Sequence, residues 1–212
     1  AEDSSGAKAT QVVTVTVTGT NDTPVLTVNP GDGDSASAPG LTESAAALTA
    51  TGNISVSDED IKDTISENII DSVKTEGSTA GLTLSEAQLR ALLTLNTTGL
   101  TDANDSGKLE WKFDNTGNTH AFDYLKEGET LTITYDVKVK DSSGQGAASG
   151  ANEADTSNIV PITITITGTN SAPALADDTN SVTEDNGLLN GTIPPVETAS
   201  ASVITAADTD AD

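Results

Sequence analysis

The sequence of 212 residues contains no cysteine and no methionine. Without cysteine it cannot form disulfides, the usual cross-links of small secreted domains, so a chain of this kind working outside a cell needs another stabilising device. Because methionine is absent, we expect an interior segment of a longer polypeptide. Its apolar runs fall short of the about 18 residues of a transmembrane helix, so direct membrane insertion is not expected.

Basic and aromatic residues are scarce. Lys and Arg total 9 against 33 Asp and Glu, the formal net charge is −24, and aromatic residues make up 2% of the chain. Nucleic acids and anionic membranes are bound through Lys and Arg, which displace counterions, so we expect neither partner. Self-repulsion of this size destabilises a compact state, and bound divalent cations would relieve it.

The sequence repeats itself. VVTVTVTGTND at residues 12–22 returns as ITITITGTN at residues 162–170, and DSSG at residues 3–6 recurs at residues 141–144. Weaker echoes link residues 181–187 to 41–44 and residues 206–212 to 55–63. Such self-similarity is typical of tandem arrays. We therefore interpret residues 1–20 as the end of a preceding repeat, 21–170 as one complete repeat and 171–212 as the start of the next.

Alternating apolar and polar residues predict β-strands. The clearest alternation covers residues 13–18, 131–140 and 162–167, and shorter candidates are residues 25–28, 52–56, 108–113 and 121–124. Clusters of Gly, Asn, Asp, Ser and Pro separate them. This spacing predicts an all-β antiparallel sandwich. A related hypothesis is that the N-terminal strand of one molecule completes the unfinished last repeat of another.

One segment departs from this pattern. SEAQLRALLTL at residues 85–95 places Ser85 and Gln88 at the spacing of a capping box, and it puts Leu89, Leu92 and Leu93 on one face. The pattern predicts one short α-helix, about residues 85–94, packed on the sandwich.

Several segments together resemble a known family. FDYLKEGETLTITYDVKVKDSSG at residues 122–144, followed by ITITITGTN, resembles the signature of the VCBS repeats of giant bacterial RTX adhesins. GLTLSEAQLRALLTL and LEWKFDN, which precede it, resemble the longer variants of that family. The resemblance covers residues 21–170. It implies an immunoglobulin-like or cadherin-like sandwich, type I secretion, display on the bacterial cell surface and calcium-dependent rigidity.

Acidic residues concentrate where the repeats would join, and calcium prefers such oxygen ligands. The order of the acidic motifs resembles cadherin linkers, in which an Asn-Asp pair joins a Glu and an Asp-x-Asp of the next domain. That similarity implies a calcium site formed by Asn21, Asp22, Glu43, Asp58 and Asp60. A second site would use Asn170, Glu184, Asp208 and Asp210, although Ser171 stands where the first copy has Asp22. The alternative is that these Asn and Asp residues simply form turns.

A separate metal candidate is DANDSG at residues 102–107. Asp102, Asn104 and Ser106 place oxygen-bearing side chains at positions one, three and five, and Gly follows at six, as in an EF-hand loop. Phe113 stands at position twelve, where that loop needs an acid. The alternative is a plain hairpin turn.

The remaining distinctive side chains favour structural roles. His120 has neither a second His nor a Cys that could complete a zinc or nucleophile site. Trp111, Phe113 and Tyr124 are interpreted as core rather than as platforms for sugar stacking. The sequence supplies no apolar pocket that would raise the pKa of one of two paired carboxylates, so an enzyme is not expected.

Two functions from different classes remain. The first is a calcium-stiffened extender repeat of a bacterial cell-surface adhesin that projects a distal ligand-binding region, in adhesion and biofilm formation. Such a repeat would be an extracellular monomer whose partners are calcium and the neighbouring repeats of its own chain. The alternative is a module of the same adhesin that binds a carbohydrate or protein, which would need polar or aromatic groups converging in a pocket.

Overall fold

The structure, a computed structural model, describes residues 3–8, 10–38, 40–60, 63–101, 104–143 and 155–170. These residues form eight strands and one α-helix, with two short 3-10 helices at Pro30–Asp32 and Thr116–Asn118. The strands are β1 (Val25–Thr27), β2 (Leu41–Thr42), β3 (Thr49–Ser57), β4 (Ile65–Gly77), β5 (Leu93–Thr98), β6 (Ser106–Asp114), β7 (Thr130–Asp141) and β8 (Val160–Thr167), and helix α1 (Glu86–Ala91) lies between β4 and β5.

The strands form two four-stranded sheets. The first sheet has the order β1-β3-β6-β5 and is antiparallel throughout. The second has the order β2-β8-β7-β4, in which only β2 and β8 are parallel. The chain crosses between sheets in the order typical of an immunoglobulin-like sandwich. The predicted all-β sandwich with one short helix is confirmed.

Alternate residues of the long strands build the core between the sheets. The inward faces of β7 and β8 bury Leu131, Ile133, Tyr135, Val137, Val139, Ile162, Ile164 and Ile166, whereas the Thr and Lys residues between them stay half-buried. From the opposite sheet, β6 contributes Trp111 and Phe113, which confirms their interpretation as core. Tyr124 is partly buried against this core.

Helix α1 is shorter than predicted. The capping box forms, since Ser85 accepts from the Gln88 N–H and Gln88 accepts from the Ser85 N–H. The helix ends at Ala91, however, and Leu93 begins β5, where it pairs with Phe113 of β6. Leu92 and Leu93 are both buried. Their burial is compatible with a helix or a strand. Residues from Leu93 onward form a strand because they pair with β6.

Strand β4 was missed, although it is 13 residues long. Two irregularities in its pairing with β7, at Ile65/Glu67 and Ile70/Ser72, shift the phase of its side chains. A bulged strand therefore shows no regular alternation in its sequence. The Arg90 guanidinium of α1 donates to the main-chain carbonyls of Ile70 and Asp71 at the second irregularity.

Two predicted strands are not strands in the structure. Residues 121–124 form a turn in which Phe122 is completely buried. Residues 13–18 lie outside both sheets, and the side chains of Val13, Val15 and Val17 are 78% to 88% exposed.

Gly168, directly after β8, packs against main chain. A Cβ at this position would lie 2.3 Å from the carbonyl oxygen of Leu125 and 2.4 Å from that of Lys126. Gly19 occupies the same place in the first GTN, but a Cβ there would meet nothing within 4 Å. Only the second GTN glycine is therefore sterically required in this structure.

We expect Gly168→Ala to lower the thermal midpoint by about 2 to 12 °C, because overpacking costs about 1 to 3 kcal/mol. Gly19→Ala is the matched control and should leave the midpoint unchanged. Scanning calorimetry on both variants checks this, and equal midpoints for the two would contradict the packing described.

Candidate metal site

A group of acidic residues gathers at the end of the sandwich where the chain leads into β1. We call this group the acidic end. Asn21 and Asp22 precede β1, the loop after β3 carries three aspartates, and β7 ends there. The acidic end comprises Asn21, Asp22, Asp58, Asp60, Asp63 and Asp141.

Hydrogen bonds tie the leading segment to the loop after β3. The Asp22 N–H donates to Asp60 Oδ2 at 2.6 Å, and the Asp60 N–H donates to Asp58 Oδ1 at 3.0 Å. The Asp63 N–H donates to the Asp60 carbonyl at 2.9 Å. The loop therefore places its carboxylates beside the segment that precedes β1.

The carboxylate of Asp58 is buried, and only its Oδ1 accepts a hydrogen bond, from the Asp60 N–H. Asp58 is 3% exposed, and its Oδ2 has no hydrogen-bond partner among the described residues. Burial raises the pKa of Asp58, the hydrogen bond from the Asp60 N–H offsets part of this rise, and the negative charges of Asp141, Asp60 and Asp63 raise the pKa further. The pKa of Asp63 is also raised, by burial and then by Asp141 and Asp60. The ionised forms of both residues are disfavoured here.

Asp141 belongs to this group but was not predicted. It is buried; its Oδ1 accepts from the Ser143 N–H and hydroxyl, and its Oδ2 accepts from Asn21 Nδ2 at 3.1 Å. Asp141 opens the second DSSG, so the recurrence of that motif was the available signal. Asp63 stands in the same acidic run as Asp58 and could have been included.

Several aspartates outside the acidic end have lysine partners. Asp34 accepts from Lys108 Nζ at 2.6 Å and from the Ser55 N–H and hydroxyl. Burial would raise the pKa of Asp34, but these hydrogen bonds outweigh it and hold the pKa below the usual value. Lys74 and Ser72 lower the pKa of Asp136 in the same way. The acidic end differs because the charges that act most on Asp58 are those of other aspartates.

Glu43 lies at the opposite end of the sandwich, so its inclusion in the first cluster was wrong. Its N–H donates to Thr167 O at the end of β8, and its Oε2 accepts from the Thr169 hydroxyl at 2.7 Å. Thr167 pairs with Thr130, the first residue of β7, whereas Asp141 is the last. The 12-residue β7 spans about 35 Å between these ends.

The predicted second cluster can be placed only in part. Asn170 follows Thr169 and therefore lies at the end of the sandwich that carries Glu43. Glu184, Asp208 and Asp210 lie outside the described residues.

The described part of the DANDSG segment, residues 104–107, leads into β6 and includes its first two residues. Asn104 Nδ2 donates to the carbonyls of Gly99 and Ser106, and Asn104 Oδ1 accepts from the Ser106 hydroxyl. These bonds account for Asn104 as a turn residue. Asp102 lies outside the described residues.

The acidic end offers oxygen ligands and excess negative charge, but its carboxylates are not drawn together into a coordination shell. Within the described parts of the chain, no three Asp, Glu, His or Cys side chains are arranged to hold a metal ion. Calcium tolerates irregular, adaptable oxygen coordination. Within the acidic end, Asp58 Oδ2 is a buried oxygen that has no hydrogen-bond partner in the described part of the chain, so it could serve as a ligand to a cation.

We expect Asp58→Asn to stabilise the protein in EDTA at pH 7, by about 2 to 4 °C for each kcal/mol of removed repulsion. The raised pKa means that the favourable contribution of protonated Asp58 is present below the unfolded-state pKa and lost as the pH rises. The difference from wild type should therefore vanish near pH 3. Thermal unfolding from pH 3 to pH 7 checks this.

Asp34→Asn is the control with the opposite sign. Its lowered pKa stabilises the fold above the unfolded-state pKa, and this stabilisation is lost as the pH falls. The variant should be less stable than wild type at pH 7. An Asp58→Asn variant that is also less stable in EDTA at pH 7 would contradict the description of the acidic end.

Comparison with known proteins places the chain in no family: no family model, no curated protein and no solved structure matches it. Among the helices in the described ranges, none is long and apolar enough to span a membrane.

Proposed function

We propose that this chain is a calcium-stiffened structural repeat of a bacterial cell-surface adhesin, acting as a spacer rather than as an enzyme. The observation that carries the proposal is the buried Asp58 carboxylate, which has like-charged neighbours and one oxygen that has no hydrogen-bond partner among the described residues. A charge buried in this way is costly unless a counter-charge arrives. The bacterial surface and type I secretion come into the proposal from the resemblance to VCBS repeats.

The acidic end can couple cation binding to the orientation of the leading segment. A calcium ion bound there would supply positive charge and would recruit Asp58, Asp60, Asp63 and Asp141 as oxygen ligands. Because the Asp22 N–H is bonded to Asp60 Oδ2, fixing Asp60 also fixes the residues before β1. The folded state with an ordered linker is then stabilised by the binding free energy.

The far end of the sandwich supports a role in an array. Buried Glu43 lies there with Thr169 and Asn170, at the point where the chain leaves β8. The fold thus has acidic groups at both ends, where the chain leads in and where it leaves. Placed in tandem, each junction would bring the Glu43 end of one repeat to the acidic end of the next.

The alternative function is a module that binds a carbohydrate or protein, and the groove nearest Trp111 does not favour sugar stacking. A groove of about 280 Å³ lies on the outer face of the first sheet, lined by Asn53, Asn96, Glu110 and Lys112 above Trp111. Trp111 is only 2% exposed, and its indole N–H donates to Ser35 O. Its ring is therefore not available for stacking on a sugar.

We expect 10 mM calcium to raise the thermal midpoint above that in EDTA by about 3 to 10 °C. This range follows from an affinity of about 10⁻⁴ to 10⁻³ M, typical of extracellular modules. Magnesium at the same concentration controls for charge screening and should give a much smaller rise. Differential scanning calorimetry gives all three midpoints.

Replacing Asp58 and Asp60 together by Asn should abolish most of the calcium-specific rise. The matched control replaces the exposed Asp32 by Asn and Glu127 by Gln, an equal charge change outside the acidic end, and should retain it. Equal calcium-induced rises in the midpoint for the two double variants would show that calcium does not bind at the acidic end.

A further inference from the structure

The segment at residues 12–18 has the sequence pattern of a strand but lies exposed outside both sheets of this structure. Val12, Val13, Val15 and Val17 are all among the exposed large hydrophobic residues, and residues 10–20 take part in no ladder. Among the described residues no strand pairs with this apolar segment, and folded proteins normally avoid leaving such a segment exposed.

The same pattern is fully buried in β8. Aligning the two GTN motifs matches Val13, Val15 and Val17 with Ile162, Ile164 and Ile166, all of which are completely buried. The threonines between them are identical. Strand β8 lies between β7 and β2 and is hydrogen-bonded to both. The environment that this sequence pattern fits is therefore the slot between β7 and β2.

A second correspondence lies in the glycines. Gly168 is sterically required because the carbonyls of Leu125 and Lys126 press on it. Gly19 has the matching position and open space around it. A glycine at position 19 is explained if the main chain of another sandwich packs there as it does at Gly168.

A third correspondence lies in the DSSG motifs. Asp3 Oδ1 accepts from the Ser5 N–H and hydroxyl at 2.9 and 2.6 Å. Asp141 Oδ1 accepts from the Ser143 N–H and hydroxyl at 3.0 and 2.7 Å. The turn that follows β7 is thus formed a second time ahead of the exposed segment at residues 12–18.

Residues 12–18 cannot fill the slot of their own sandwich. In the register of β8, Gly19 would stand beside Leu125 and Lys126, near the start of β7. Asn21 is bonded to Asp141 at the other end of β7. Two residues reach at most about 7 Å, far less than the length of that strand.

We propose that residues 12–18 are the last strand of a separate unit of this fold, inserted between its β7 and β2 equivalents, parallel to β2 and antiparallel to β7. Val13, Val15 and Val17 face that unit's core. The partner is thus a sandwich of this fold that has no last strand of its own, and the proposal is independent of calcium.

The test asks whether a peptide with the sequence of this segment binds between β7 and β2 when β8 cannot occupy that position. The acceptor is the full chain with two sets of substitutions. Ile162→Asp and Ile164→Asp prevent β8 from packing in the core. Val13→Ser, Val15→Ser and Val17→Ser remove the apolar face of the chain's own segment at residues 12–18. The probes are peptides of residues 10–22 (TQVVTVTVTGTND), of residues 158–170 (NIVPITITITGTN), and of residues 10–22 with the three valines replaced by serine. Trp111 fluorescence and circular dichroism report refolding.

The expected result is saturable recovery of the buried Trp111 signal with the peptide of residues 10–22, and none with its serine version. Recovery with residues 158–170 but not with residues 10–22 would overturn the proposal. If neither peptide restores the fold, a graft in the full chain tests whether the sequence of residues 11–17 can form β8. The graft consists of Val160→Gln, Pro161→Val, Ile162→Val, Ile164→Val and Ile166→Val. Cooperative unfolding with a midpoint about 3 to 15 °C lower supports the proposal, and a graft that does not fold rejects it.

Discussion

The carboxylate of Asp58 sets the main electrostatic constraint on this fold. It is buried at the end of the sandwich, one of its oxygens has no partner among the described residues, and the charges that act most on it are negative. An ionised group in that position must gain a proton or a counter-charge. Its raised pKa favours the proton, and the proposed calcium ion would supply the counter-charge. The stability of the sandwich therefore depends on the pH and, if calcium binds as proposed, on the calcium concentration.

The same constraint connects the sandwich to the chain that precedes it. Asp60 accepts from the Asp22 N–H, and Asp141 accepts from the Asn21 amide. Whatever changes the charge of the acidic end therefore acts on the residues that lead into β1. These residues are preceded by the segment at residues 12–18, whose exposed valines match the buried isoleucines of β8. Electrostatics at the junction and packing of the strand would thus act on one short stretch of chain.

Sequence patterns predicted the regular parts of the fold. The alternation in β7 and β8 follows from strands with one face on the core, and the capping box of Ser85 and Gln88 is a local interaction. The patterns missed β4 because two pairing irregularities shift its side-chain phase, and they extended α1 because buried leucines suit a helix as well as a strand. In these cases tertiary pairing overrides the local signal.

The site was harder to predict for a topological reason. Asp58 and Asp60 are close in sequence and lie together. Glu43 follows a strand that ends at the opposite end of the sandwich, whereas Asp141 comes from the end of a strand distant in sequence. The directions of the strands decide that Glu43 lies away from Asp58 and that Asp141 lies near it. The order of the acidic motifs along the sequence resembles that of cadherin linkers, but this order does not show at which end of the sandwich each motif lies.

The most direct test of the account is a crystal structure of the chain grown with calcium, with an anomalous difference map. The account predicts an ion about 2.3 to 2.6 Å from Asp58 Oδ2, with further oxygens from Asp60 or Asp141. An Asp58 carboxylate without an ion in crystals saturated with calcium would contradict it.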